Sequence, residues 1–180
     1  MRRAAFRVLF NPGWKEQALR SRQLSVAVTR FQHRTVYPEL TPEILSGISD
    51  DDLVQAIQDC IESRLPQGHV DVLPSGHRLP SGCASVYYYR TMDYDVWSGG
   101  FDQFLKSSSP QLVAATMESL RLLGLAVLAD TVAEAQQRFN SGRSTARYYA
   151  RYEKAQVGAQ SHIIRFIRDH PDEFTTTVTH

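Results

Sequence analysis

Three carboxylates, Asp93, Asp95 and Asp102, surround a glycine pair, Gly99-Gly100. Paired carboxylates can exchange protons with a substrate or hold a divalent cation. The spacing argues for neither, because Asp93 and Asp95 on one helix diverge by about 200°. Caps and solvated surface groups account for them more simply. A second candidate gathers His69, Asp71 and His77 with Cys83. It matches no ligand spacing and lies in a Gly/Pro-rich stretch, so solvated loop histidines are expected there and no metal. Pro74-Ser75-Gly76-His77 and Ser98-Gly99-Gly100 lack the Gly-x-Ser-x-Gly frame of a nucleophile elbow. No phosphate loop, dinucleotide fingerprint or His-Glu-x-x-His occurs. No catalytic residue and no cofactor is expected.

What remains is charged and aromatic surface. Asp52, Asp59 and Glu62 can share one helix surface, with Asp50, Asp51 and Glu43 near its start. Such a patch can draw a basic partner. Its plainer reading is a solubilising face matched to the helix dipole. Seven tyrosines (Tyr87, Tyr88, Tyr89, Tyr94, Tyr148, Tyr149, Tyr152) divide between core and interface, with at least one ring of the triple run in the core.

The elements that position these residues read as helices. Thr41-Pro42-Glu43 is a cap, a first-turn proline and a first-turn acid. Ser49 before three aspartates opens a stronger helix, with Ile48 placed to staple onto Leu53. Leu53, Val54, Ile57, Cys60 and Ile61 then form one stripe to about Leu65. Residues 66–82 read as a loop with a weak strand at 70–73. Residues 84–96 read as a helix that the glycine pair ends, and 101–106 as a short one. Ser109-Pro110 starts another, stopped by Gly124. Leu125, Leu128, Val132, Ala135 and Phe139 make the seam of the next, before Asn140-Ser141-Gly142. Two more are expected over 146–156 and 160–170. The class is all-α, a compact bundle of about six to seven short helices with a Gly-Gly corner.

The 180 residues carry a net charge of +1 that hides a split. Residues 1–36 carry +7, residues 37–82 carry −6, and residues 83–180 are neutral. The first 36 residues have no sustained period and an Asn-Pro-Gly turn. They read as a basic, disordered extension ahead of a single helical domain over 37–180. Their Arg-rich, acid-poor composition is also that of a transit peptide, and a start site assigned too early would give the same picture. Scattered arginines make no ordered basic face, so direct nucleic-acid binding is not expected. No apolar run is long enough to span a membrane. Cys60 and Cys83, far apart and few, are expected to be buried and reduced, as in the cytoplasm.

Val96 to Leu105, VWSGGFDQFL, resembles the Asn-Gly-Gly-Phe-x-Gln-Tyr-Phe signature of a bacterial domain-of-unknown-function family that includes a DNA-mimic protein. Gly99, Gly100, Phe101, Gln103 and Phe104 carry the match, with Trp97 beside them, and Ser98 stands where the family has Asn. Leu120…Leu123-Gly124, Ala129…Ala135…Phe139 and the closing Phe166 to Phe174 resemble its later helices, and the Ser49 helix its lead-in. The resemblance spans roughly residues 40–174. It implies the helical fold, with Phe101 and Phe104 in the core, Gln103 tying the corner backbone and the motif mainly structural. It also implies a protein partner that is itself a DNA-binding protein. Neutral residues 83–180 do not supply the dense charge that full DNA mimicry needs. The expectation is therefore a non-enzymatic protein-binding domain whose acidic face comprises Asp50, Asp51, Asp52, Asp59 and Glu62. The alternative is an enzyme or small-ligand binder using a cleft beside Gly99-Gly100, with Asp95, Asp102 and Gln103 as its polar groups.

Overall fold

The computed structural model describes residues 34–65 and 79–176. The anticipated strand at 70–73, His69, Asp71, His77 and nearly all of the basic extension lie outside them. Among the described residues the chain is all-α: α1 (Pro42–Gly47), α2 (Asp50–Arg64), α3 (Ser81–Ser107), α4 (Pro110–Leu122), α5 (Ala126–Asn140), α6 (Tyr149–Gln156) and α7 (Ala159–Asp169). Short 3-10 turns at Ala146–Tyr148 and Pro171–Phe174 precede α6 and follow α7. No described helix is long and apolar enough to cross a membrane.

Local chemistry explains most boundaries. The Thr41 and Ser109 hydroxyls accept from the backbone N–H of Ile44 and Leu112 at 3.3 and 3.2 Å, each followed by a first-turn proline. Gly124 and Gly142 follow α4 and α5 at φ 73° and 69°, the left-handed form that ends helices. Two boundaries differ from expectation. Ser49 occupies the cap position of α2, but its hydroxyl donates to Asp52 Oδ2 at 2.7 Å instead of accepting from the backbone. Beside three aspartates, a charged acceptor outcompetes a neutral amide. Helix α3 begins at Ser81, inside the stretch read as loop, because Gly82 lets it pack closely on the C-terminal turn. A Cβ there would lie 2.7 Å from both the Glu173 carbonyl oxygen and the Phe174 ring.

One core runs through the bundle. Leu53, Ile57, Cys60 and Ile61 of α2 meet Cys83, Val86, Met92 and Val96 of α3. Leu120, Leu128, Val132, Ile163 and Ile167 complete it from α4, α5 and α7. Thr176 closes the domain by exchanging hydrogen bonds with Leu40 at 2.8 Å in both directions. Tyr88 and Tyr89 of the triple run are buried with Tyr148 and Tyr152, while Tyr94 is exposed.

Candidate functional site

Helix α2 carries the acidic residues, but they do not form one face. Asp51 and Glu62 are exposed. They lie about 16 Å apart along the helix axis, separated by half-buried Gln55 and buried Gln58, whose Nε2 donates to Glu62 Oε1 at 2.5 Å. Asp50 is exposed too but receives Arg168 Nη2 at 2.7 Å and Nε at 3.2 Å. Arg168 also donates to the Leu45 and Ile48 carbonyls, so this ion pair serves the α1–α2 junction. Asp52 is half-buried and holds Ser49. Asp59 is only 4% exposed and accepts from Gln55 Nε2 at 2.9 Å, which removes it from the expected surface. Its position turns toward the core, among Ala56, Cys60 and Ile61. Glu43 adds an exposed charge nearby, its carboxyl held below the usual range first by a hydrogen bond with Thr41.

The glycine corner is built as a hinge. Gly99 and Gly100 leave helical geometry within α3, and Gly100 has φ 73°, ψ −175°. That region is essentially closed to residues with a Cβ. Gln103 lays its side-chain stem on Gly99, where a Cβ would come within 2.7 Å, rather than bonding to the corner backbone. Phe101 and Phe104 are buried. Ser107 Oγ donates to Asp95 at 2.9 Å and clamps the two arms of α3 together. Asp102 reaches the other way, accepting from the Thr145 hydroxyl at 2.6 Å and the Thr145 N–H at 3.2 Å.

Asp93 turns to α6, where the Tyr152 hydroxyl and Gln156 Nε2 both donate to it and Tyr89 donates to Gln156 Oε1 at 2.9 Å. Each of the three corner carboxylates therefore has its own structural partner, and they share no common substrate position. Among the described residues no three His, Cys, Asp or Glu side chains gather as a metal site. A groove of about 650 Å³ lies elsewhere, between the start of α5 and the α6–α7 turn, and includes Leu125, Val127, Lys154, Val157 and His162.

Trp97 departs from its expected structural role. It is 74% exposed, and Tyr94, one helical turn earlier on the same side, is 71% exposed. Its position relative to the glycine pair marked it as part of the motif. Periodicity held the warning: Met92, Val96 and Phe101 take buried positions, and Trp97 is turned about 140° from Met92 and about 100° from Val96 round the helix.

Burial sets the acid–base character of the interior. It raises the Cys83 thiol from 9.0 to about 12, reinforced by Cys60. Tyr89 is raised from 10.0 to about 12, first by burial and then by the Asp93 charge, and Tyr152 moves the same way for the same reasons. These groups hold their protons in the folded state and release them earlier when unfolded. Their stabilising contribution is complete below the unfolded values and fades as pH rises from 9.0 toward about 12. Urea midpoints are expected to fall steadily across that alkaline window, and a flat profile there would contradict the assignment.

The residues just described coincide with a recognised sequence family. A family model described as DMP19-like protein matches residues 77–174, from the approach to α3 to the end of the closing 3-10 turn. No curated protein and no solved structure matches the chain significantly. The match includes the corner, Trp97 and the network around Asp93, while α2 with its acidic residues lies ahead of it. Since it covers more than half of the 180 residues, the chain belongs to the DMP19-like protein family.

Proposed function

We propose that this protein works by binding another protein, and that the partner is basic, of the kind that otherwise binds nucleic acid. The contact we assign is the exposed acidic surface of α2, with Asp51 and Glu62 as its charges. The carrying observation is that Asp51 and Glu62 are exposed on α2 with no basic residue between them in the helix. Family membership supports a DNA-mimic-like role in general terms; the choice of α2 rests on this chain's own residues. In this reading Asp59 supports the helix from within, residues 37–180 form the binding domain, and residues 1–36 are an accessory extension. A catalytic or small-ligand role beside Gly99-Gly100 is disfavoured because Asp95 and Asp102 are spent on Ser107 and Thr145.

Affinity capture with the full chain tests the proposal. The wild type is expected to retain a basic protein that elutes as salt rises, because charge-led contacts weaken with screening. The Asp51→Lys/Glu62→Lys variant is expected to lose that protein. Equal retention by both would contradict the reading.

A further inference from the structure

The groove where α5, α6 and α7 meet takes no part in the acidic contact. Gly124 and Gly158, at φ 73° and 88°, turn the chain from α4 into α5 and from α6 into α7, and both turns border it. Its volume of about 650 Å³ is that of a small-molecule site. Buried Leu125, Leu128 and Ala159 form the floor. Val127 and Val157 stand at the edge, 56% and 83% exposed. Apolar surface of this kind in a concave, polar-rimmed setting marks a place where something binds. The polar side chains of the lining are Arg151, Lys154 and His162, with no carboxylate among them. His162 reaches the groove from α7 because Gly124 has no side chain: a Cβ there would lie 2.6 Å from the ring Nε2. Glu134 holds Arg151 Nη1 at 2.7 Å. Neither Lys154 nor the His162 ring makes a hydrogen bond or ion pair among the described residues. Asp130 on α5 and Glu153 on α6 are exposed but do not line the groove. Lys154 is therefore the one charge of the lining without a fixed counter-charge.

We infer that this groove binds a free monocarboxylate with a compact hydrocarbon body. The hydrocarbon lies on the apolar floor between Val127 and Val157, where its burial supplies most of the affinity. The carboxylate meets the Lys154 ammonium, with the His162 ring and the remaining Arg151 N–H groups as further donors. One uncompensated cation matches one carboxylate. A neutral head group leaves Lys154 without its anion, and a cationic head group meets like charge, so the site selects by charge as well as by apolar fit. The site is separate from the α2 contact, and neither reading needs the other.

The test titrates the full chain with decanoate, decanol and decyltrimethylammonium, each kept below micelle formation, and reads binding by calorimetry and methyl NMR. Decanoate is expected to bind and to shift the Val127 and Val157 methyl signals. It is expected to bind several-fold more tightly than decanol, with decyltrimethylammonium the weakest. Lys154→Glu is expected to weaken decanoate about tenfold and to leave decanol unchanged, while Lys154→Arg retains decanoate. Ala126→Trp, which fills the groove from its exposed wall, is expected to weaken decanoate and decanol alike. Both positions are exposed, so the unliganded variants are expected to melt as the wild type does. The absence of decanoate binding, or decanol or decyltrimethylammonium binding as tightly as decanoate, would overturn the assignment. So would wild-type affinity for decanoate in Lys154→Glu, or decanoate shifts confined to helices other than α5, α6 and α7. A dimer of the free chain that Val157→Asp dissociates would make a second copy the occupant and overturn it too.

Discussion

Phe104→Ala is expected to destabilise the protein by about 3–5 kcal/mol, the usual loss for truncating a buried phenylalanine. Phe104 is fully buried in the arm of α3 that follows the glycine corner. Its removal opens a cavity where α3 turns to meet α4, and the corner backbone is too constrained to collapse into it. Phe101 stands one turn earlier with its ring edge-on to Tyr152 at 5.9 Å, so the loss extends to α6. Urea unfolding measures the change directly. Trp97→Ala, from the same motif, is the matched control. Being exposed, it is expected to alter stability by no more than about 0.5 kcal/mol. A comparable loss from both substitutions would mean that the motif is not divided into an inner and an outer half.

Gly100→Ala is expected to cost about 1–3 kcal/mol for a different reason. Beyond its chain neighbours and its own helix backbone, nothing lies within 4 Å of the position a Cβ would take at Gly100, so crowding by the rest of the fold plays no part. The cost comes from φ 73°, ψ −175°, which an alanine adopts only under strain. Relief of that strain would straighten α3, pull Ser107 away from Asp95 and shift Asp102 from Thr145. Loss of helical content is therefore expected to be small while cooperativity of unfolding falls. Gly47 provides the contrast. It has open space and no left-handed φ, so Gly47→Ala is expected to be neutral or mildly stabilising. Equal effects at the two glycines would refute the backbone explanation.

The helices were legible because their signals are local. Thr41-Pro42 and Ser109-Pro110 cap as their chemistry demands, and Leu128, Val132 and Ala135 line the buried side of α5 at the spacing that marked them. The corner was legible for the same reason: two glycines followed by aromatics at helical spacing. What could not be read was the choice among competing partners. Ser49 prefers the Asp52 carboxylate to a backbone amide. Asp59 is drawn under Gln55, and Asp50 is claimed by Arg168 from the far end of the chain. These are long-range or side-chain decisions that periodicity does not encode. The same limit applied to Asp93, Asp95 and Asp102, which sit close in sequence and serve three separate contacts.

Of the five acidic residues expected to make the contact, Asp59 is buried and Asp50 is paired with Arg168, so the proposed contact is narrower than the expected one. The proposed contact keeps Asp51 and Glu62 as its exposed charges. Charge at these positions would set the rate and specificity of encounter.

The salt dependence of partner affinity tests the central claim most directly. The captured partner is titrated with wild type and with Asp51→Lys/Glu62→Lys over a range of sodium chloride. The account predicts a steep loss of wild-type affinity with salt, and a weaker affinity with a flatter slope for the variant. Superimposable slopes for the two proteins would contradict it.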